Sequence, residues 1–489
     1  MNDIVIPEIT ISQRDMLNAV LLYVACLGVV TLASKYRAKL KAMLWHWGTV
    51  YWILTVISVA VFLPAIWQLV KILTGNAGII GSNPLRYAVL GAAISGPLFI
   101  VWRIYIAYYQ TNTAEEDSIA ARISKAIEHL EIDDQISELQ PEPDVKIRLS
   151  AIYSLERIAQ ESLRNHINVM EILCAYIRSN NNAASAVLLP ASDLFDVAVW
   201  KEQIPPVRID IQAAIDVIAR RNDAQLLTEI TEKYIIDLRD CNLQRVNFRR
   251  GKFDMAMLED CRLDFAQMEN TELNGVILNR ATLNGAELSE ARLNGAELNG
   301  AKLNEANLDR AELNGAKCNA AELNGARLRL AKLNGAVLVG AKLHCADLNG
   351  AAINRAVANG ADLQGAKLNG AVLRQAVLNR VRFNDAELNG AELYRAALNR
   401  ADLTGAELNG AKLDGTDFSA AQTERTAIKS ADVTGAIRLS APQLNAMFGD
   451  KSTILPSQMK RPDDWPKDDL DYSEFFARWS AAKKEAGLP

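Results

Sequence analysis

Hydrophobic residues follow three different patterns along the 489-residue chain. Uncharged apolar runs occupy residues 16–34 and 48–70, and a third run covers residues 87–102 and continues to residue 109 past Arg103. Residues 114–218 place their apolar side chains at helical spacing instead. From residue 236 to residue 435 the apolar positions recur at every fifth residue. These changes predict several folding units in one chain.

The three apolar runs are predicted to be transmembrane helices, since a helix of about 20 residues crosses a bilayer core of roughly 30 Å. The loop after the first run is rich in lysine and arginine, which favours a cytoplasmic position. We therefore expect residues 16–110 to anchor the chain in the lipid bilayer of the bacterial inner membrane. The tail, residues 1–15, would lie outside and the rest in the cytoplasm. No ionisable residue lies inside the first two runs, which favours an anchor over a channel.

The middle of the chain, residues 111–235, is predicted to be a helical linker domain. Apolar residues at spacings of three and four predict helices around residues 119–130, 149–158, 169–177 and 211–218. Pairs of this kind suggest a small HEAT-like bundle. His129 and His166 have no second ligand at metal-binding spacing, so they are interpreted as surface or capping histidines.

The period of five is the most informative pattern in the chain. Residues 236–435 form 40 consecutive pentads without an insertion, and the central position is Leu in 29 of them. The position two residues earlier is usually Ala, and the residue between them is usually charged or amidic. A typical run reads AELNG, AKLNE, ANLDR from Ala296 to Arg310. No α-helix has this period.

Each pentad is predicted to be a short extended segment followed by a corner. Residues two apart in extended chain share a face, so Ala and Leu point together to a core while the residue between them faces solvent. The frequent Asn-Gly pair then supplies the positive φ of a tight turn. Repeated corners of one sense wind the chain into stacked coils that hydrogen-bond at about 4.8 Å spacing.

These pentads resemble the pentapeptide-repeat family, whose consensus is Ala, Asp or Asn, Leu and two variable residues. The resemblance implies a mostly β fold, a right-handed quadrilateral β-helix with four pentads per coil. Forty pentads would then make about ten coils and a rod about 48 Å long. The chain departs from the consensus because Glu or Lys often precedes the central Leu and Asn often follows it. Residues 436–489 are expected to form a cap on the last coil and an amphipathic helical tail.

Two sets of outward positions fall into line when every twentieth residue is compared. One set alternates in sign, as stacked ion pairs would, and the other is apolar and indicates a docking surface or a contact with another part of the chain. The charge ladder consists of Lys252, Glu272, Arg292, Glu312 and Lys332, and the apolar stripe consists of Val337, Val357, Val377 and Ala397.

No catalytic, cofactor or metal site is predicted. The six cysteines form no CxxC pair, and Cys318 is interpreted as a core substitute for Leu. His344 and Cys345 are adjacent but have no orienting acid, and no phosphate-binding Gly loop is present.

A non-enzymatic, membrane-tethered scaffold for an unidentified protein partner is therefore the favoured function, with a homo-oligomer left open. One alternative is a membrane-perturbing effector in stress or phage defence. A more distant one is mimicry of DNA toward a topoisomerase, as in strongly acidic members of the family. The net charge of −5 and the nearly neutral repeat region disfavour that mimicry, and we expect no nucleic-acid partner.

Overall fold

A computed structural model describes residues 84–131, 142–189 and 197–488. The chain divides into two compact units, Met1–Ala121 and Arg122–Pro489. The described residues of the first unit belong to one long helix, α1 (Pro84–Leu130). The predicted membrane runs at residues 16–34 and 48–70 lie outside the described residues.

The third apolar run falls within α1, and its prediction as a membrane span is wrong. Arg103 interrupts the run, and Glu115, Glu116 and Asp117 follow it in the same helix. Across the three described ranges, no helix combines the length and the apolar character needed to cross a bilayer. This finding contradicts the predicted inner-membrane location with an outside N-terminus. It also leaves the membrane tether of the scaffold, the bilayer partner and the membrane-perturbing effector without support.

A helical bundle opens the second unit. Helix α2 packs against α3 and α5, and α3 also packs against α6. The core of the bundle is apolar, with Ile152, Leu155, Val169 and Leu173 fully buried. The helices are α2 (Glu142–Glu161), α3 (Leu163–Asn180), α4 (Val197–Gln203), α5 (Ile209–Ala219) and α6 (Asp223–Glu232), with a 3-10 turn at Ala183–Ser185.

The pentads form a four-sided β-helix. Parallel single-residue bridges join each outward residue to its equivalent four pentads later, from Asp237 with Met257 to Asp417 with Ile437, so one coil holds four pentads. Each coil bonds to both neighbours, as when the amide of Lys342 donates to Ala321 O at 2.8 Å and that of Leu343 donates to Asp362 O at 2.7 Å. This ladder of backbone hydrogen bonds extends the fold along the rod.

In each pentad, the first and third residues fill the core, and the fifth residue forms the corner. Ala341 and Leu343 are 0% and 1% exposed, as their spacing of two residues requires. The corner residue adopts a left-handed conformation, with φ of +66° at Gly340 and +57° at Arg355. A residue with a Cβ is disfavoured in this conformation by about 1–2 kcal/mol, which explains why glycine is common there.

Other parts of the chain cover both ends of the β-helix. At the start, Asn182 pairs antiparallel with Cys241, and the Trp200 ring lies 5.1 Å from the Phe265 ring. At the far end, α7 (Ala441–Ala446) leads to Phe448, which pairs with Ala427. Helix α8 (Tyr472–Glu485) then packs on the rod through Phe475 and Trp479. Covered ends protect the open backbone edges of a solenoid.

Candidate interaction surfaces

The outward residues of the pentads define four faces of the rod. The valine face consists of the outward residues of every fourth pentad from Asp237 to Ile437, and it includes Val357. The ladder face consists of the outward residues of every fourth pentad from Lys252 to Asp432. The ladder face adjoins the valine face, since each of its residues lies one pentad before a residue of the valine face. The side opposite the valine face carries Lys367 and is called the rear face.

The apolar stripe lies in register on the valine face. Parallel bridges join Val337 to Val357, Val357 to Val377 and Val377 to Ala397, and all four side chains are half-buried. Helix α8 packs elsewhere: Lys483 contacts Asp385 at 2.8 Å, next to the rear face. The C-terminal helix therefore contacts the rod away from the stripe.

The five residues of the charge ladder also lie in one row, but they do not form one continuous chain of ion pairs. Arg292 pairs with Glu272 at 3.2 Å, and Lys332 pairs with Glu312 at 2.8 Å. Lys252 instead reaches the bundle and binds Asp223 at 2.9 Å. The pairs are largely exposed, so each contributes little to stability.

A feature absent from the sequence-based predictions is a ladder of asparagine side chains. The Oδ1 of Asn304 accepts from both the backbone and the side-chain amide of Asn324, each at 3.0 Å. Asn304 donates in the same manner to Asn284. The sequence signal for this ladder is an Asn directly after the central Leu that recurs at every fourth pentad. Such stacked amides hold successive corners in register.

The bundle meets the first coils through a buried ion-pair network. His166 is 0% exposed, its Nε2 lies 2.7 Å from Glu229, and Glu229 binds Arg221 at 2.5 Å. The prediction of His166 as a surface or capping residue is therefore wrong. Burial acts to raise the pKa of Glu229, but the hydrogen bond from His166 and the charge of Arg221 outweigh it and hold that pKa below its usual value.

A cleft of about 570 Å³ lies beside this network and is rich in arginine. Acidic partners already neutralise several of its cations: Lys252 binds Asp223 at 2.9 Å and Arg249 binds Glu269 at 2.5 Å. Arg221 also donates a hydrogen bond to Lys252 O, which ties the bundle to the rod. The arrangement is that of a structural junction. The lining residues are Ala219, Arg220, Arg221, Asn222, Asp223, Arg249, Arg250 and Lys252.

Among the described cysteines, neither Cys318 nor Cys345 is placed for catalysis. Cys318 occupies a central pentad position in the core, where burial raises its pKa to about 12. Cys345 is exposed at a corner beside His344. Over residues 84–131, 142–189 and 197–488, no group of three or more His, Cys, Asp or Glu side chains could hold a metal ion.

A four-sided β-helix of five-residue repeats, with four repeats per coil, places this chain among the pentapeptide-repeat proteins. The family profile described as Pentapeptide repeats matches in eight copies, over residues 261–300, 291–329, 321–357, 359–393 and 382–419. The chain belongs to the pentapeptide-repeat family, whose repeats imply a right-handed quadrilateral β-helix.

Several solved structures resemble the chain. HetL, a protein involved in regulating heterocyst differentiation in the cyanobacterium Nostoc sp. strain PCC 7120, is 29% identical over 49% of this chain and 99% of its own, with a TM-score of 0.23. QnrB1, a plasmid-mediated fluoroquinolone resistance protein, is 19% identical over 42% of this chain and 90% of its own, with a TM-score of 0.21.

Rfr23 from the cyanobacterium Cyanothece 51142 is 24% identical over 22% of this chain and 63% of its own, with a TM-score of 0.12. No curated protein matches the chain. Because these TM-scores are low, the structures carry no further argument, and the family assignment rests on the repeat profile.

Proposed function

We propose that the chain is a non-enzymatic protein-interaction platform, whose β-helix presents the apolar stripe to another protein chain. The observation that carries this proposal is the stripe itself. Four consecutive rows of the valine face hold Val337, Val357, Val377 and Ala397, whereas the rows on either side of them are charged, with Lys317 before and Asp417 after. Apolar strips with polar rims are typical of docking surfaces.

The scaffold supports this role because it is rigid. Every coil is tied to its neighbours by backbone hydrogen bonds, and the corners are further held by the asparagine ladders. A surface that is ordered before binding loses little conformational entropy on association. The half-buried valines already lie close together, so a partner gains contact area without rearranging the rod.

A photo-crosslinking amino acid provides the test. We would place it at Val357 on the stripe or at Lys367, which lies on the rear face two pentads later. The proposal predicts an adduct with a protein chain from position 357 and far less from position 367. Equal adducts at both positions, or none at position 357, would overturn it.

A second comparison uses charge on the stripe. The double variant V357K/V377K should lose the protein adduct, because two ammonium groups would have to be desolvated at the contact. The matched control Q267K/N307K adds the same two lysines to the rear face and should keep it. With both variants, the photo-crosslinking amino acid replaces Val337, a stripe position that neither double variant alters.

A further inference from the structure

We propose that the chain received by the stripe is a second copy of this protein, packed against it with the two rods antiparallel. This inference rests on the docking role proposed above and names its partner. It comes from the order of residues along the valine face, which reads Glu297, Lys317, Val337, Val357, Val377, Ala397, Asp417, Ile437.

The six central rows of this order, from Lys317 to Asp417, are complementary to themselves when the order is reversed. A two-fold axis midway between Val357 and Val377, lying in the contact plane and perpendicular to the rods, places Val357 of one copy opposite Val377 of the other. Val337 then faces Ala397. One row further out, Lys317 faces Asp417. An isologous dimer requires this kind of self-complementary surface, with every contact made twice.

Charges at the rim select the antiparallel orientation. Lys317 is paired with Glu297 at 2.8 Å, and Asp417 is paired with Arg438 at 2.7 Å. When these two ion pairs face each other across the contact, positively and negatively charged side chains alternate. In a parallel dimer Lys317 would instead meet Lys317 and Asp417 would meet Asp417, and like charges in contact are strongly unfavourable.

The corners beside the stripe fit the same axis. Gly340 lies level with Arg400 of the second copy, and Gly360 lies level with Arg380. A Cβ atom added at Gly340 or Gly360 would have no heavy atom within 4 Å, so these corners have open space beside them. The long side chains of Arg380 and Arg400 therefore face glycine corners, which have no side chain.

The contact is modest in size. The overlap from Glu297 to Ile437 covers eight rows and seven steps of about 4.8 Å, or about 34 Å along the rod. A contact through one sheet face of this length buries an area at the lower end of the range for specific interfaces. We therefore expect a reversible dimer whose population rises with protein concentration.

Charge reversal tests both the partner and the orientation. In a K317D homodimer, the introduced carboxylate would face Asp417 twice, and in a D417K homodimer the introduced ammonium group would face Lys317 twice. Each variant should therefore dimerise at least about tenfold more weakly than the wild type. Mixed together, the two variants form one contact between their native charges and one between their reversed charges, and both pair opposite signs. Sedimentation velocity should therefore detect a heterodimer in the mixture and monomers in each variant alone.

Disulfide trapping tests the register. The background is C345S, which removes the exposed thiol of Cys345. V357C carrying one tag is mixed with V377C carrying another, and the mixture is oxidised. The antiparallel dimer predicts a mixed disulfide from this pair and much less from V357C with A397C, which is displaced by one row.

Three outcomes separate the two proposals. A heterodimer with the expected disulfide supports the second copy. A chain that stays monomeric, but still gives a protein adduct from position 357, overturns the dimer and leaves the docking function in place. A monomer that gives no adduct at position 357 overturns both.

Discussion

The helical bundle and the β-helix both contain many charged residues, but they use them differently. In the bundle, His166 and Arg221 are buried, and both bind the buried carboxylate of Glu229. In the β-helix, pairs such as Glu272 with Arg292 remain largely exposed. The bundle thus depends on a few buried charges, whereas the rod draws its stability from a repeated apolar core and repeated hydrogen bonds, which leaves its surface charges available for recognition.

The largest effect is expected from breaking the buried network. Glu229→Gln removes the charge that neutralises Arg221, leaving a cation buried without its partner. We expect a loss of roughly 3 kcal/mol in the stability of the bundle. Chemical denaturation followed by circular dichroism measures it.

The exposed residue Glu232 of the same helix supplies the control. Glu232→Gln should change the stability by less than about 0.5 kcal/mol. A similar midpoint for both variants would show that the bundle does not depend on its buried charges.

The asparagine ladder is the corresponding vulnerable feature of the rod. Asn304→Ala deletes the side-chain donor to Asn284 and the acceptor of two hydrogen bonds from Asn324. Because these amides are half-buried, we expect a loss of about 2 kcal/mol in rod stability. Hydrogen exchange at the amide of Asn324 should increase far more than that of corners several coils away. Uniform exchange along the rod would contradict a local role for the ladder.

Low pH should affect the rod through Asp309. Burial acts to raise the pKa of this carboxyl, but the hydrogen bonds from Arg329 and Arg327 outweigh it and lower that pKa to about 2. A pKa depressed in the folded state stabilises the fold above the unfolded value near 4, and this contribution is lost as the pH falls through about 2. Arg329→Ala should move the Asp309 pKa up toward 3.8, as measured by NMR titration.

Arg310→Ala is the matched control, because the guanidinium of Arg310 pairs with Glu290 at 3.4 Å, in the coil before. An Asp309 pKa that rises equally in both variants would argue against the local hydrogen bonds as its cause.

The sequence predicted the rod well because its rules are local and repeat. Ala and Leu two residues apart identify the core, and the family resemblance supplies four pentads per coil. The role of His166 could not be predicted, since its partner Glu229 lies far away in the chain, in a different helix. The prediction for residues 87–109 is wrong for a different reason. The apolar run is typical of a membrane span, but Arg103 and the acidic residues that follow it belong to the same helix.

The smallest effect is expected on the ladder face. Arg292→Ala removes an exposed pair with Glu272, in which the arginine side chain is 58% exposed. Such pairs contribute about 0–1 kcal/mol, so thermal unfolding should hardly change. Dimerisation should not change either, because Arg292 lies on the ladder face, whereas Lys317→Asp on the valine face should weaken it. If Arg292→Ala weakened dimerisation as much as Lys317→Asp, the contact would not be confined to the valine face. The conclusion that this rod uses different residues for stability and for recognition would then be wrong.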